Sequence, residues 1–292
     1  MSGVPGGNAS ARLYIAVEKT KARPREHGAL QTRLAPMSEP TLPPPAPTAQ
    51  SALVRELERV GQLHDERQRN PTLAGALERI AAWQALRLRN TYVDLAADPR
   101  YADAIAFFQS DLYGGANFAQ RDADLARVVP VMVRMLPDRV IATVAQAMEV
   151  NGLSQEMDRR LLARLPRADA VFTVADYCRA FRSMEHRAER MRQIELIGEI
   201  GAALDSFVRK PLIHAALVMM RQPARLAGLS VLHDFLERGF DAFHRMRGAD
   251  HFLATIAERE TALVDRIFAG DTAPFADPLA LGPEAGPDFR SG

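Results

Sequence analysis

The segment from Asp94 to Asp122 combines aromatic and charged residues more densely than any other part of the chain. Asp111 falls in the last turn of a predicted helix, where the helix dipole disfavours a carboxylate. A bidentate ion pair with Arg100 or Arg121 would compensate for that position. One interpretation is therefore a pocket with aromatic walls. Its polar contacts would come from Arg100, Asp111, Tyr113, Arg121 and Asp122.

The alternative for this segment is a structural junction without a ligand. In that case Phe107 and Phe108 belong to the core, Tyr113 packs and donates one hydrogen bond, and Gly114 ends the helix. An aspartate–arginine pair then fixes the loop. The residue types favour this structural interpretation over the pocket, although both stay open at the level of sequence.

A second set of candidate ligands follows a helical stripe. It consists of His233, Glu237, Asp241 and His244, which fall on one face of a helix. Histidine and carboxylate at i, i+3 and i, i+4 can hold zinc or iron. Di-iron bundles typically use Glu-x-x-His twice, and the sequence contains no such motif.

The apolar stripe of the same helix lies about 90° away from the polar one. It consists of Leu229, Leu232, Leu236, Phe240 and Phe243. The polar stripe is then predicted to be a flank or a solvated face. No metal is favoured, and no cofactor is predicted.

Composition excludes several classes of protein. The 292 residues carry a net charge of +1, which gives no field typical of nucleic-acid binding. The single cysteine, Cys178, excludes an intramolecular disulfide framework and any zinc site made of cysteines alone. No uninterrupted apolar run is long enough for a membrane span, so the sequence predicts a cytoplasmic protein without membrane partners.

The elements that must position these residues are predicted to be helices. Between about residues 50 and 270 nearly every segment shows the 3.6-residue period, and strand patterns are nearly absent. The predicted fold class is all-α, a compact bundle of about ten helices. Asn151-Gly152 is predicted to end one helix, and Pro223 to divide two others. The stretch Val174–Val208 is predicted to be one helix or two.

The two ends differ from the middle of the chain. Residues 1–49 are predicted to be a disordered, proline-rich extension and residues 271–292 a disordered tail, flanking a single helical domain at residues 50–270. Met37 is a plausible true start, which would lower the net charge to −3, because residues 1–36 carry six basic and two acidic groups. A basic targeting peptide is the alternative for those residues. An apolar segment typical of a secretory signal is missing from them.

One motif resembles a known family. The segment Phe107–Gly114 is similar to an FFLxDLYG-like motif of an uncharacterised, all-helical bacterial family, with Gln109 in place of the expected Leu. The likeness extends over roughly residues 50–270. It implies an all-helical fold. It implies no mechanism, because the family has no established activity.

These observations predict a helical binding or regulatory module whose partner is a protein or a small molecule. The alternative is an enzyme or a metal- or cofactor-binding bundle that uses the Asp111/Arg121 region or the His233–His244 stripe. The sequence contains no Walker A loop, H-E-x-x-H, G-x-S-x-G or C-x-x-C motif to support that alternative. A homo-oligomer is a third hypothesis, which rests only on the apolar helices.

Overall fold

A computed structural model describes residues 48–109, 123–129, 136–166 and 172–279. All regular secondary structure in these ranges is helical, so the predicted all-α fold class is confirmed. Residues 123–129 form a helical segment. The helices whose two ends are described are α1 Ala49–Arg69, α2 Pro71–Thr91, α3 Val93–Ala97, α4 Ala102–Phe107, α5 Asp138–Leu162, α6 Val174–Ser183, α7 Arg187–Val208, α8 Pro211–Leu226, α9 Ser230–Met246 and α10 Asp250–Phe268.

Some of the predicted features lie outside the described residues. These are Asp111, Tyr113, Gly114, Arg121, Asp122, Met37, and the outer parts of both predicted tails. The chain divides into residues 1–45 and residues 46–292, and the description below concerns the second unit. Within the described ranges, no helix combines the length and the apolar character that crossing a membrane requires.

Helix α5 forms the centre of one half of the bundle. It packs along α1 and also contacts α2, α6 and α7. Leu53 and Val60 of α1 and Ile141 of α5 are almost fully buried where the two helices meet. Arg59 joins the same helices through two hydrogen bonds of 2.8 Å to the carboxylate of Glu156. Burial of apolar side chains, with one bidentate ion pair at the edge, therefore fixes α1 on α5.

The predicted helix end at Asn151-Gly152 is wrong, because α5 continues through both residues to Leu162. A Cβ atom on Gly152 would lie 3.3 Å from the side chain of Arg59. The glycine therefore allows α1 to approach α5 closely, although it is not a helix terminator here. The side-chain amide of Gln155 donates a 3.0 Å hydrogen bond to the Oδ1 atom of Asn151, one turn earlier in the same helix.

The stretch Val174–Val208 forms two helices, which settles the alternative left open by the sequence. Thr173 and Asp176 form a capping box at the start of α6. Glu185 adopts a left-handed conformation with φ of 57° between α6 and α7. The predicted break at Pro223 is wrong, since α8 runs through it to Leu226. Proline has no N–H group, so the carbonyl one turn before Pro223 receives no helical hydrogen bond from it. Pro223 is exposed, so solvent can reach that carbonyl.

A second packed region joins α3, α4, α7, α9 and α10. Phe243 and Phe252 are almost fully buried at its centre. Gly239 on α9 faces the ring of Phe107, and a Cβ atom there would lie 2.9 Å from the ring edge. Helices α4 and α9 therefore approach each other closely, and this region positions the end of α9 that the next subsection describes.

The described part of the predicted C-terminal tail, residues 271–279, contacts the helices. The ring of Phe275 lies 5.8 Å from the ring of Trp83 and 6.1 Å from that of Tyr177. Pro274 is buried, and its carbonyl accepts a 2.7 Å hydrogen bond from Arg266. These contacts add to the third apolar cluster, which is built around Trp83.

Candidate functional site

A cleft of about 370 Å³ lies between the C-terminal end of α7 and the turn that joins α9 to α10. Its lining combines apolar side chains at the base with several cationic groups. The lining residues are Asp205, Val208, Arg209, Phe243, His244, Arg245, Arg247 and Gly248.

The backbone of the α9–α10 turn shapes one wall of this cleft. Arg247 ends α9 in a left-handed conformation with φ of 52°, and Gly248 follows with φ of 122°. Glycine suits that second conformation because it has no Cβ atom. The reversed chain buries Ala249 completely, and α10 begins at Asp250 without a side-chain cap. The chain direction therefore changes sharply next to the cleft.

Two guanidinium groups meet at Gly248. Nitrogen atoms of Arg100 and Arg209 lie 3.6 and 3.8 Å from the position that a Cβ atom on Gly248 would occupy. Arg100 donates hydrogen bonds of 2.8 Å to the carbonyl of Met246 and 3.1 Å to the carbonyl of Gly248. The free carbonyls at the end of α9 thus orient the Arg100 side chain.

The cationic groups of the cleft are not all neutralised by carboxylates. Arg209 pairs with Asp205, and Arg245 donates a 2.6 Å hydrogen bond to Asp103. In the described part of the chain, neither Arg100 nor Arg247 pairs with a carboxylate. The charge of Arg247 on the cleft lining, and that of Arg100 next to the lining residue Gly248, therefore remain available to a small anion.

Asp205 lies at the base of the cleft and is only 7% exposed. Its Oδ2 accepts a hydrogen bond from Arg209, whereas its Oδ1 is buried without a partner among the described residues. A buried acceptor without a donor costs about 1–3 kcal/mol. A hydroxyl or amine group that entered the cleft and displaced the Arg209 side chain could satisfy this atom.

His244 is exposed at the cleft, and its Nδ1 lies 3.2 Å from the carbonyl oxygen of Val208. Because a carbonyl only accepts, Nδ1 carries the proton, and Nε2 has no hydrogen-bond partner among the described residues. The imidazole ring lies parallel to Phe240, which in turn stacks on His214 at a centroid distance of 5.3 Å. This stack holds the orientation of His244.

The predicted ligand stripe does not converge on one point. His233 is buried rather than solvated, and its Nε2 lies 2.9 Å from the carbonyl of Leu217. His233, Asp234 and Glu237 bring one potential ligand atom each within 4.8 Å of one another. However, Arg221 already donates a 2.6 Å hydrogen bond to Glu237, and its positive charge competes with a metal ion.

Two further expectations for this helix differ from the structure. His244 lies in the cleft, apart from the three grouped side chains, and Asp241 is half-buried beside the charge of Arg245. Leu236, predicted on the buried apolar stripe, is 46% exposed. The helix therefore faces its core with a narrower stripe than the sequence pattern predicts.

A second polar cluster lies in the core between α2 and α10. Arg87 donates hydrogen bonds of 2.6 and 3.0 Å to the two carboxylate oxygens of Glu260, and Tyr92 donates a third of 2.9 Å. Burial raises the pKa of Glu260, but the charge and hydrogen bonds of Arg87 outweigh it, so the pKa is lowered overall. This bidentate, nearly buried pair joins residues 173 positions apart and fixes the bundle.

Asp158 on α5 faces the same region. Removal from water raises the pKa of its carboxyl group to about 6, against the opposing effects of a 2.9 Å hydrogen bond from Gln84 and the charges of Arg190 and Arg67. Strongly shifted groups can mark functional sites, but buried structural networks shift pKa values as well. Since the cavity described above lies elsewhere, we assign Asp158 to the structural network.

The sequence predicted Arg100 and His244 for two different sites, whereas the structure places His244 on the lining of this cleft and Arg100 beside it, bonded to Gly248. The sequence prediction missed Asp205, Arg209 and Arg247. The run Arg245-Met-Arg-Gly248 between two helices is the feature that could have indicated a cationic turn. Nothing near Asp205 in sequence indicates its burial.

Comparisons with known proteins add a family but no activity. Neither the curated proteins nor the solved structures include a match to this chain. The model of one family, described as Domain of unknown function (DUF8198), matches residues 63–274. That match covers most of the chain and most of the helices described above, so the protein belongs to the DUF8198 family.

Proposed function

We propose that this protein is a helical binding module that takes a small anionic ligand in the cleft between α7 and the α9–α10 turn. The observation that carries the proposal is the pair of guanidinium groups, Arg100 and Arg247, that no described carboxylate neutralises. Arginine suits planar recognition of carboxylate and phosphate groups. Arg100 is already oriented by backbone carbonyls, so binding would cost little conformational entropy there.

The buried Oδ1 of Asp205 narrows the ligand class further. A ligand that carries a hydroxyl or amine next to its anionic group could donate to this oxygen while the arginines hold the anion. Amino acids, and phosphorylated polyols that keep a second hydroxyl group, have this combination. Inorganic phosphate has no carbon-bound hydroxyl or amine beside its anionic oxygens.

Isothermal titration calorimetry of the full chain with O-phosphoserine and with inorganic phosphate tests the proposal. We expect O-phosphoserine to bind more tightly than phosphate, and both affinities to fall with rising salt. Arg247→Gln should weaken O-phosphoserine binding by about tenfold or more, because a hydrogen bond to a charged group is lost. Arg225→Gln removes an exposed arginine that does not line the cleft and serves as the matched control.

Two results would count against the proposal. One is the absence of binding by either probe at millimolar concentration. The other is equal weakening by Arg247→Gln and by Arg225→Gln, which would indicate that only overall charge attracts the anion. Among the described residues, the group that could hold a metal ion, His233, Asp234 and Glu237, is engaged by Arg221 through Glu237, so we do not propose the metal-binding alternative.

We propose a cytoplasmic protein without nucleic-acid or membrane partners. Cell fractionation with an antibody against the protein tests the location.

A further inference from the structure

The ion pair at the base of the cleft joins a buried carboxylate to an exposed guanidinium. Asp205 is 7% exposed, whereas the side chain of Arg209 is 62% exposed. The two residues lie one turn apart on α7. An ion pair within one helix is weak when water competes for its exposed partner. Asp205 is therefore the fixed member of this pair, and Arg209 is the movable one.

The burial of Asp205 limits what can take the place of Arg209. The Oδ2 atom of Asp205 accepts a hydrogen bond from Arg209, and its Oδ1 atom has no partner among the described residues. Departure of Arg209 alone would leave a buried charge uncompensated, which is strongly unfavourable. A hydroxyl group would donate one hydrogen bond but bring no charge. An ammonium group brings a positive charge and three donors, enough for both oxygens. Asp205 therefore selects an amine over a hydroxyl.

The place that Arg209 occupies lies next to a second guanidinium. Its Nη2 atom bonds to Asp205 and lies 3.8 Å from the position of a Cβ atom on Gly248. The Nη2 atom of Arg100 lies 3.6 Å from that same position. An ammonium group in place of the Arg209 nitrogen would therefore have a carboxylate-binding group beside it. Ammonium and carboxylate groups joined through one carbon atom, as in an α-amino acid, match this arrangement.

The rest of the lining limits the side chain of such a ligand. Asp205 is the one carboxylate among the lining residues, and the ammonium group of the ligand uses it. A basic side chain would meet Arg245 and Arg247 and find no further carboxylate there. The apolar lining residues Val208 and Phe243 instead favour contact with an aliphatic side chain.

We propose that the ligand of the cleft is an α-amino acid with an apolar side chain, an inference that rests on the anion site proposed above. The ammonium group of the ligand takes the place of Arg209 on Asp205. The carboxylate group binds Arg100 and Arg247, and the side chain lies on the apolar part of the lining. Arg209 thus fills the empty site and is displaced when the amino acid binds.

Isothermal titration calorimetry of the full chain with L-leucine and with L-α-hydroxyisocaproate tests the choice of amine over hydroxyl. The second compound has the same carbon skeleton and a hydroxyl group in place of the ammonium group. We expect leucine to bind at least about tenfold more tightly, because its bond to Asp205 joins two charged groups. Asp205→Asn should remove this preference. Both ligands are measured on the same variant, so a lower fraction of folded protein does not change their ratio of affinities. Asp234→Asn, an exposed carboxylate of α9 outside the lining, is the matched control and should keep the preference.

Two arginine substitutions should change leucine binding in opposite directions. Arg209→Gln should strengthen it by about two- to fivefold, because the ammonium group no longer competes with the guanidinium for Asp205. Arg247→Gln should weaken it by about tenfold, because a hydrogen bond between charged groups is lost. A cleft that attracts ligands by positive charge alone would bind more weakly after either change.

The outcomes separate this inference from the proposed function. Equal affinities for leucine and the hydroxy acid, both weakened by Arg247→Gln, would overturn the amino-acid inference and leave the anion site standing. Weaker leucine binding in Arg209→Gln would also overturn it. Binding of O-phosphoserine without binding of leucine would have the same meaning. Absence of binding by all three compounds would contradict the proposed function as well.

Discussion

Replacement of Asp158 by asparagine tests the energetic consequence of the polar network in the core. The pKa of Asp158 is about 6 in the folded protein, against an ordinary value of 3.8. Between these values the folded protein keeps a proton that the unfolded chain has released. The free energy of unfolding therefore falls as the pH rises through this window. The stabilising contribution of the protonated Asp158 to the free energy of unfolding is fully present below about pH 3.8 and is lost above about pH 6.

The magnitude follows from the size of the shift. A difference of about two pKa units corresponds to at most about 3 kcal/mol. The asparagine side chain in the Asp158→Asn variant has no titratable proton, yet its amide oxygen could still accept the 2.9 Å hydrogen bond from Gln84. The difference in unfolding free energy, wild type minus Asp158→Asn, should therefore decrease by up to about 3 kcal/mol between pH 4 and pH 7.

Urea denaturation at a series of pH values measures this difference. Trp83 is the only tryptophan of the chain and is 3% exposed, so its fluorescence reports unfolding of the core. Carboxyl groups whose pKa is lowered by folding change the stability of both proteins alike, and their effect cancels in the difference. Asp94→Asn is the control, because Arg259 lowers the pKa of Asp94 to about 2, below the range of the assay. A difference for Asp158→Asn that does not vary between pH 4 and pH 8 would refute the reasoning.

Three further predictions concern stability and reactivity. Gly201→Ala should destabilise the protein by about 1–3 kcal/mol, because the new methyl group would overlap the side chain of Leu253. In Gly198→Ala on the same helix, the added Cβ atom has no neighbouring atom within 4 Å, so this change should stabilise the protein by about 0.5–1 kcal/mol. Urea denaturation compares the two variants. Glu260→Gln should lower the free energy of unfolding by about 3–5 kcal/mol in the same assay, since it leaves the buried guanidinium of Arg87 without its counter-charge. A loss below about 1 kcal/mol would contradict the role of this ion pair in fixing the bundle. Cys178 is fully buried, and burial raises the pKa of its thiol to about 11. A thiol reagent at pH 8 should therefore label it only after urea unfolding. Rapid labelling of the folded protein would disprove this prediction.

The sequence predicted the helices best where each one depends on its own residues. The capping box of Thr173 and Asp176 starts α6 as its sequence indicates. Prediction failed where a distant element decides the outcome. Gly152 looks like a helix terminator by itself, whereas in the structure α5 continues through it and the side chain of Arg59 packs against it.

The cleft was less predictable than the helices for the same reason. Arg100 and Met246 are 146 residues apart in sequence, and no local pattern indicates that they are joined. The burial of Asp205 depends on how the end of α9 packs on α7. His233 and His244 share one predicted polar stripe, whereas the tertiary structure directs the two rings to different surroundings.

The pairing of α1 with α5 has a consequence for synthesis of the chain on the ribosome. The Arg59–Glu156 pair joins residues 97 positions apart. At about 5–20 residues per second, translation therefore leaves the apolar side of α1 without its partner for roughly 5–20 s. During that interval Leu53 and Val60 are available to chaperones and to other nascent chains. Helix α1 therefore waits for a partner that is made 97 residues later, and substitutions of its apolar side chains by polar ones should reduce the yield of folded protein in cells.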